Sequence, residues 1–182
     1  MKVDLGGFSV GDFDKGAGKF KIILWYFVNT LVVRASWNPL MGLKIVLLQA
    51  FGAKIGKRVI IKNEVRVKSP WYLTIGDNCW LGECCWIDNL ERVTIGSNVC
   101  ISQGAMLLTG NHDYKVATMP YRNAPIVIED GAWIGANSTI CPGVTIHENA
   151  VLTVGSTATK DLEKDSIYQG IPAVKIRERI IE

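Results

Sequence analysis

The sequence predicts a mainly β protein, a parallel β-helix of six-residue repeats, preceded by two helices and carrying a long loop at one corner. Three observations support this. First, an apolar residue recurs every six positions: Ile55, Ile61, Val67; Ile75, Leu81, Ile87; Ile95, Ile101, Leu107; then Ile128, Ile134, Ile140, Ile146, Leu152 and finally Ala158. Fourteen of these fifteen slots hold Ile, Leu or Val, whereas those types make up 51 of the 182 residues, so chance would fill about four slots. Second, the fourth residue of the hexad is often Asn or Gly: Asn78, Asn98, Gly104, Gly131, Asn137, Gly143, Asn149 and Gly155. These types accept the left-handed backbone that a tight corner demands. Third, the fifth residue is small or β-branched, as at Val59, Val65, Cys79, Cys85, Val99, Ala105, Ala132, Ser138, Val144, Ala150 and Ser156, which suits the inside of a corner.

A period of six fits neither a 3.6-residue helix nor a plain alternating strand. It fits a short strand and a corner, three of which close one triangular coil. The first slots of successive coils, 55, 75 and 95, are eighteen residues plus two apart. The two extra residues follow Val67 and then Ile87. The third such place, after Leu107, carries a much longer insert, assigned to residues 113–127. The β-helix is assigned to 53–160, the tail 161–182 to closing its end, and residues 1–52 to a helical extension.

Within that extension, Phe20 to Arg34 and Leu40 to Phe51 read as two nearly all-apolar helices separated by Asn38-Pro39. Trp25, Tyr26 and Trp37 lie among them, as in interfacial helices. Packing on the β-helix or on a neighbouring subunit is the first reading and peripheral membrane contact the second. The run Ile22 to Val33 is too short to span a bilayer, and the start lacks the apolar stretch of a signal peptide. Charge is uneven: residues 1–70 hold twelve Lys and Arg against four Asp and Glu, the rest eight against thirteen. A solvated basic face, an anionic substrate and an anionic membrane all fit that asymmetry. Five unpaired-looking cysteines, at 79, 84, 85, 100 and 141, argue for a reducing, cytoplasmic compartment and against a disulfide framework or a zinc knot.

Chemistry concentrates at the insert, since loops on a rigid scaffold carry function. Of the two histidines, His147 follows a core slot and reads as an exposed bystander. His112 stands five residues after Leu107, in Thr109-Gly110-Asn111-His112-Asp113-Tyr114. An imidazole there can take a proton from a hydroxyl nucleophile near neutral pH.

The pattern resembles the hexapeptide-repeat acyltransferases, whose fold is a left-handed parallel β-helix. The handedness comes from that resemblance alone, because parallel crossovers are ordinarily right-handed. The galactoside, maltose and nodulation-factor O-acetyltransferases carry a catalytic His after a Thr-Gly turn, the place His112 occupies. The likeness continues through Ala124-Pro125-Ile126-Val127-Ile128, Trp133-Ile134-Gly135-Ala136, Pro142-Gly143-Val144-Thr145-Ile146, Thr159-Lys160-Asp161 and Gly170-Ile171-Pro172-Ala173. An N-terminal Phe-Asp, the two helices, Trp80-Leu81-Gly82-Glu83 and Trp86-Ile87-Asp88-Asn89-Leu90 are similar to the colanic-acid-type exopolysaccharide acetyltransferases.

The resemblance implies acetyl-CoA as co-substrate, a saccharide acceptor, a homotrimer with CoA between adjacent subunits, no metal and no nucleic acid. It places Trp133, Ala136 and Val154 along the pantetheine arm, and Thr159, Lys160 and Arg177 near the adenosine and its phosphates. Some relatives have Ser after Trp-Ile-Gly; here Ala136 offers only its backbone N–H to a tetrahedral oxyanion. For the acceptor, Glu83, Asp88, Asn89 and Asn111 are the candidates, although Leu90 occupies the slot nearest the acidic residue of the galactoside enzymes. A carbonic anhydrase of the same fold needs three His ligands, which two histidines cannot supply. N-acetyl transfer to an amino sugar or xenobiotic, and a non-catalytic scaffold, remain as alternatives. A cysteine nucleophile at 84, 85 or 100 has nothing nearby in sequence to lower its pKa.

Overall fold

The computed structural model describes residues 2–11, 13–36 and 40–182. The Asn38-Pro39 break and Trp37 therefore lie outside the described residues. Coil one contains β1 (Lys54–Ile55), β2 (Ile60–Ile61) and β3 (Arg66–Val67). Coil two adds β4 (Leu73–Ile75), β5 (Trp80–Leu81) and β6 (Trp86–Asp88), and coil three β7 (Val93–Ile95), β8 (Cys100–Ile101) and β9 (Met106–Leu108). After the insert come β10 (Ile126–Ile128), β11 (Trp133–Ile134) and β12 (Thr139–Ile140), then β13 (Thr145–Ile146), β14 (Val151–Leu152) and β15 (Thr157–Ala158). The tail supplies β16 (Ser166–Gly170) and β17 (Ala173–Glu178).

Every third strand stacks in parallel, which makes three flat faces. The first face runs β1-β4-β7-β10-β13, the second β2-β5-β8-β11-β14-β16 with β17 antiparallel at its edge, and the third β3-β6-β9-β12-β15. Register places equivalent slots one above another: Ile55 on Ile75, Leu81 on Ile101, Leu107 on Ile140 and Ile140 on Ala158. Fourteen of the fifteen repeat slots are buried, Ile55 alone being half-buried at the open first coil. The fifth-slot residues, Cys79 and Ser138 among them, complete the interior.

The corners obey the same logic. All eight Asn and Gly residues of the fourth slot adopt positive φ, between 55° and 83°. The first coils put Arg58, Glu64 and Cys84 into that conformation at 55°, 60° and 60°, a strained choice that the sequence pattern does not reveal. Gly76 meets a different demand. A Cβ there would stand 2.7 Å from the backbone carbonyl carbon of Gly96, so the coil above passes only because the side chain is absent.

The extension differs in detail from the sequence reading. Helix α1 is Lys19–Val28, followed by a π-helical turn over Asn29–Val33, and α2 is Met41–Ala50. Among the described residues before Lys19, only the short turn at Leu5–Gly7 is helical. The helices cover the open end of coil one. Trp25 is buried and its indole N–H donates to the Val67 carbonyl at 3.0 Å. Lys44 is also buried, and its ammonium donates to Asn63 Oδ1 at 2.6 Å. Burial pushes the Lys44 pKa down.

Two substitutions of opposite sign test this account. Gly76→Ala should destabilise the protein by about 2 kcal/mol or more, because backbone must move. Cys84→Gly should stabilise it by about 0.5–1 kcal/mol by relieving the left-handed strain. Urea-unfolding midpoints read both.

Candidate active site

The insert between β9 and β10 covers residues 109–125, so Ile126 and Val127 belong to β10 rather than to the loop. It is a paired structure, not a free excursion. Its arms are joined by Arg122 N–H to the Asn111 carbonyl at 2.8 Å, Ala124 N–H to the Thr109 carbonyl at 3.0 Å and Asp113 N–H to the Pro120 carbonyl at 2.9 Å. Thr109 anchors the foot. Its hydroxyl is buried, accepts from Glu91 N–H at 2.9 Å and donates to the Asp88 carbonyl at 3.2 Å. At Gly110 a Cβ would lie 2.7 Å from Leu90 Cδ1, so a side chain there would displace Leu90. Those two contacts give the Thr-Gly turn its physical reason.

His112 is held on several sides. Its backbone N–H donates to Asn111 Oδ1 at 2.8 Å. Its Nδ1 stands 2.6 Å from the Met119 carbonyl. A carbonyl oxygen only accepts, so Nδ1 carries a proton in this contact, and in the neutral ring the lone pair falls to Nε2. Met119 aims that carbonyl from a left-handed backbone, φ 47°, which is costly for a side chain of its kind. The imidazole also faces Tyr121, with centroids 5.0 Å apart, and Phe8 at 5.9 Å. Phe13 packs on Tyr121 at 5.0 Å.

Phe8 and Phe13 come from the N-terminal arm, which lies across the insert and is tied to it by Asp4 N–H donating to the Ala117 carbonyl at 2.9 Å. Phe8, Phe13, Met119 and Tyr121 leave no mark in the six-residue pattern, since none occupies a hexad slot. Phe13 is marked by the Phe-Asp likeness, and the others leave no signal of their own.

The acceptor candidates separate. Asp88 lies at the loop foot, paired in register with Leu108, and Lys68 Nζ lies 2.8 Å from its Oδ1. The approach lacks hydrogen-bond geometry, so that buried oxygen accepts no hydrogen bond. Asn111 is exposed beside His112. Asn89 requires a correction. It is fully buried, its Oδ1 accepting from Ser69 N–H at 2.9 Å and its Nδ2 donating to the Ser69 carbonyl at 2.6 Å. That amide clamps two coils at the two-residue bulge and is buried out of an acceptor's reach. Glu83 is exposed at the corner between the second and third faces, one face away from His112.

Trp133, Ala136 and Val154 do come together. They line a groove of about 410 Å³ with Ser102, Gln103 and Thr153. The Trp133 indole is pinned by donating to Ser102 Oγ at 2.9 Å. Gly135 permits close stacking, since a Cβ would meet Val154 N at 2.5 Å. Among the described residues, the Ala136 N–H makes no hydrogen bond. A second groove, under Trp80, shares Ser102 and Gln103 and prolongs the trough. Thr159 and Lys160, both exposed, follow β15 at the corner between the third and first faces. That is the edge from which the His112 loop leaves. Arg177 lies on β17, opposite Ile167 at the end of the second face. Within one protomer, therefore, His112 and the Ala136 groove lie on opposite edges of the third face, on the order of 15 Å apart for five or so extended residues.

Two remaining groups have other work. His147 is half-exposed with its Nδ1 3.2 Å from Glu129 Oε2. All five cysteines hold their protons more tightly than a free thiol: burial pushes Cys85 up to about 11 and raises Cys79, Cys100 and Cys141, while the hydrogen bond to Glu64 raises exposed Cys84. None is poised as a nucleophile. Among the described residues no cluster of three or more His, Cys, Asp or Glu could hold a metal ion.

The family profile described as bacterial transferase hexapeptide (six repeats) matches residues 125–159. The colanic acid biosynthesis acetyltransferase named WcaF of Escherichia coli strain K12 is 38% identical over 179 residues, covering 97% of each chain. The chain belongs to the hexapeptide-repeat acetyltransferases. The galactoside O-acetyltransferase of the same organism is 36% identical over 122 residues, 62% of this chain and 60% of that one. The fold matches the hexapeptide-repeat acetyltransferase of Vibrio cholerae O1 biovar eltor, solved with acetyl coenzyme A, at TM-score 0.82 and 23% identity over 96% of both chains. It also matches a maltose O-acetyltransferase of Clostridium difficile 630 at TM-score 0.80 and 22% identity, over 89% and 88% of the two chains. The parallel triangular coil is thus the β-helix of this family, consistent with its left-handed winding.

The Asn89 clamp makes its own prediction. Asn89→Ala should cost about 3 kcal/mol, because Ser69 is left with a buried donor and acceptor unpaired; the urea midpoint of the variant measures it.

Proposed function

We propose that the protein moves the acetyl group of acetyl-CoA to a hydroxyl of a saccharide, a unit of an exopolysaccharide, by direct attack with His112 as general base. The observation that carries this reading is the Nδ1 contact to the Met119 carbonyl, which fixes the tautomer that leaves Nε2 basic. Nε2 takes the hydroxyl proton as the oxygen bonds to the thioester carbonyl carbon. The tetrahedral oxyanion is met by the unpartnered Ala136 N–H. When the C–S bond breaks, the proton on Nε2 passes to the departing thiolate, giving the acetyl ester and CoA thiol. No acyl-enzyme forms, in keeping with cysteines that stay protonated.

The pantetheine arm lies in the Trp133–Ala136–Val154 groove, with Thr159, Lys160 and Arg177 toward the adenosine phosphates, where cations suit the charge. Asp88, Asn111 and the Phe8–Tyr121 wall meet the acceptor sugar. Aromatic rings offer an apolar platform for the C–H face of a pyranose.

The separation of His112 from the Ala136 groove supports a closed ring of three copies. One protomer's loop edge then meets its neighbour's groove edge in a heterologous contact, and three such contacts close a ring about a threefold axis. Working in the cytoplasm, the enzyme would meet an acceptor carried at the inner membrane face. Homology to named O-acetyltransferases favours a hydroxyl over an amine as acceptor.

His112→Ala should lower kcat by about 10²-fold or more with acetyl-CoA binding unchanged, read by CoA-thiol release against a panel of hydroxyl and amino saccharides and by calorimetry. Turnover close to wild type would sink the mechanism, and turnover confined to amino sugars would replace O-transfer by N-transfer. A mixing experiment addresses the ring. Ala136→Glu fills the groove, so it and His112→Ala should each be inactive alone, yet a co-expressed mixture should regain activity because some interfaces carry both intact halves. A mixture as silent as its parents would mean that the site lies within one copy.

A further inference from the structure

The helices at the open end of coil one present apolar side chains in both directions. Trp25, Val33, Lys44 and Leu48 face the coil and are buried. On the other side, Phe20, Ile23, Phe27 and Leu31 recur at spacings of three, four and four, the signature of one helical face. They are 80%, 57%, 53% and 61% exposed. Leu40, Leu43 and Val46, on and beside α2, continue the exposed surface. A stripe of this size on a helix is not explained by folding, since burial of Trp25 already secures α1.

Charge identifies what covers it. From Lys15 to Asn63 the sequence contains no Asp or Glu, but nine Lys and Arg. Lys44 is the buried one. Lys15, Lys19, Lys54, Lys57, Arg58 and Lys62 are exposed around the same end of the molecule. A self-complementary contact with the same face of a second copy would set cations against cations. An apolar stripe on an end of the molecule rich in exposed cations complements a lipid headgroup layer that is anionic above and hydrocarbon below. No helix among the described residues is long and apolar enough to cross a membrane, so the fit is to lying on the surface. Position agrees: the stripe caps the end of the prism, whereas the His112 loop and the groove lie along its sides.

We infer that the outer face of α1 and α2 docks the enzyme onto an anionic lipid bilayer, Phe20, Ile23, Phe27 and Leu31 entering the interface and the surrounding Lys and Arg holding the headgroups. Its use, holding the prism where a lipid-carried saccharide is presented, rests on the function proposed above; the docking itself does not.

The test is co-sedimentation of the full chain with vesicles of phosphatidylglycerol and, separately, of phosphatidylcholine, at low and high salt. Wild type should partition to phosphatidylglycerol vesicles, more weakly to phosphatidylcholine, and less at high salt. Ile23→Glu/Phe27→Glu should bind at least about tenfold more weakly, with unchanged circular dichroism and sedimentation coefficient. His112→Ala should bind like wild type, so a failed catalytic reading leaves this result intact. The inference falls if wild type stays in the supernatant with both lipids, if both lipids bind it equally, or if the double variant binds like wild type. It falls equally if that variant sediments as a smaller species, which would assign the stripe to contacts between copies.

Discussion

The structure depends on one constraint, the spacing of parallel coils set by their backbone hydrogen bonds, about 4.8 Å from strand to strand. Every coil must present its carbonyls and amides at that interval on three faces at once. This is why Ile is stacked on Ile within the faces, why the corners turn through left-handed residues, and why Gly76 and Gly135 carry no side chain where the next coil passes. The interior is a column of short side chains with no room to shift laterally. The two grooves under Trp80 and Trp133 are the external trace of the same spacing.

That rigidity is what the candidate site borrows. His112 does not sit on a coil; it sits on an insert whose arms are paired and whose foot is bolted through Thr109 to Asp88 and Glu91. The Met119 carbonyl then orients the ring. A strained backbone at Met119 is tolerated because the paired arms determine it from both sides. The result is an imidazole whose position is referred back to the coil stack through a few hydrogen bonds.

The repeat was legible because it is an interior requirement, and interior requirements leave a mark at every coil. The fifteen slots, the eight Asn and Gly corners, and the place of the insert could all be read from the chain. The strained corners at Arg58, Glu64 and Cys84 could not, since their residue types carry no left-handed preference. Asn89 looked like a polar group at the loop mouth, and only the structure shows its amide closing on Ser69. His112, Trp133, Ala136 and Val154 were nominated through a family likeness, whereas the Phe8–Tyr121 wall was not, because it is made by two segments 113 residues apart with no periodicity between them. The division of the candidate residues between two edges of one face is likewise a three-dimensional fact that no spacing announces.

The Thr109-Gly110 foot has a consequence for how such a molecule can change. Coil residues are interlocked, so an insertion within a face would throw every later slot out of phase. The insert leaves and re-enters at one corner, between strands β9 and β10 that both remain in register with their neighbours. Its length is therefore mechanically decoupled from the solenoid, and the aromatic wall around His112 can be lengthened, shortened or repopulated without disturbing the groove. A single architecture can in this way keep one donor while its descendants explore many recipients.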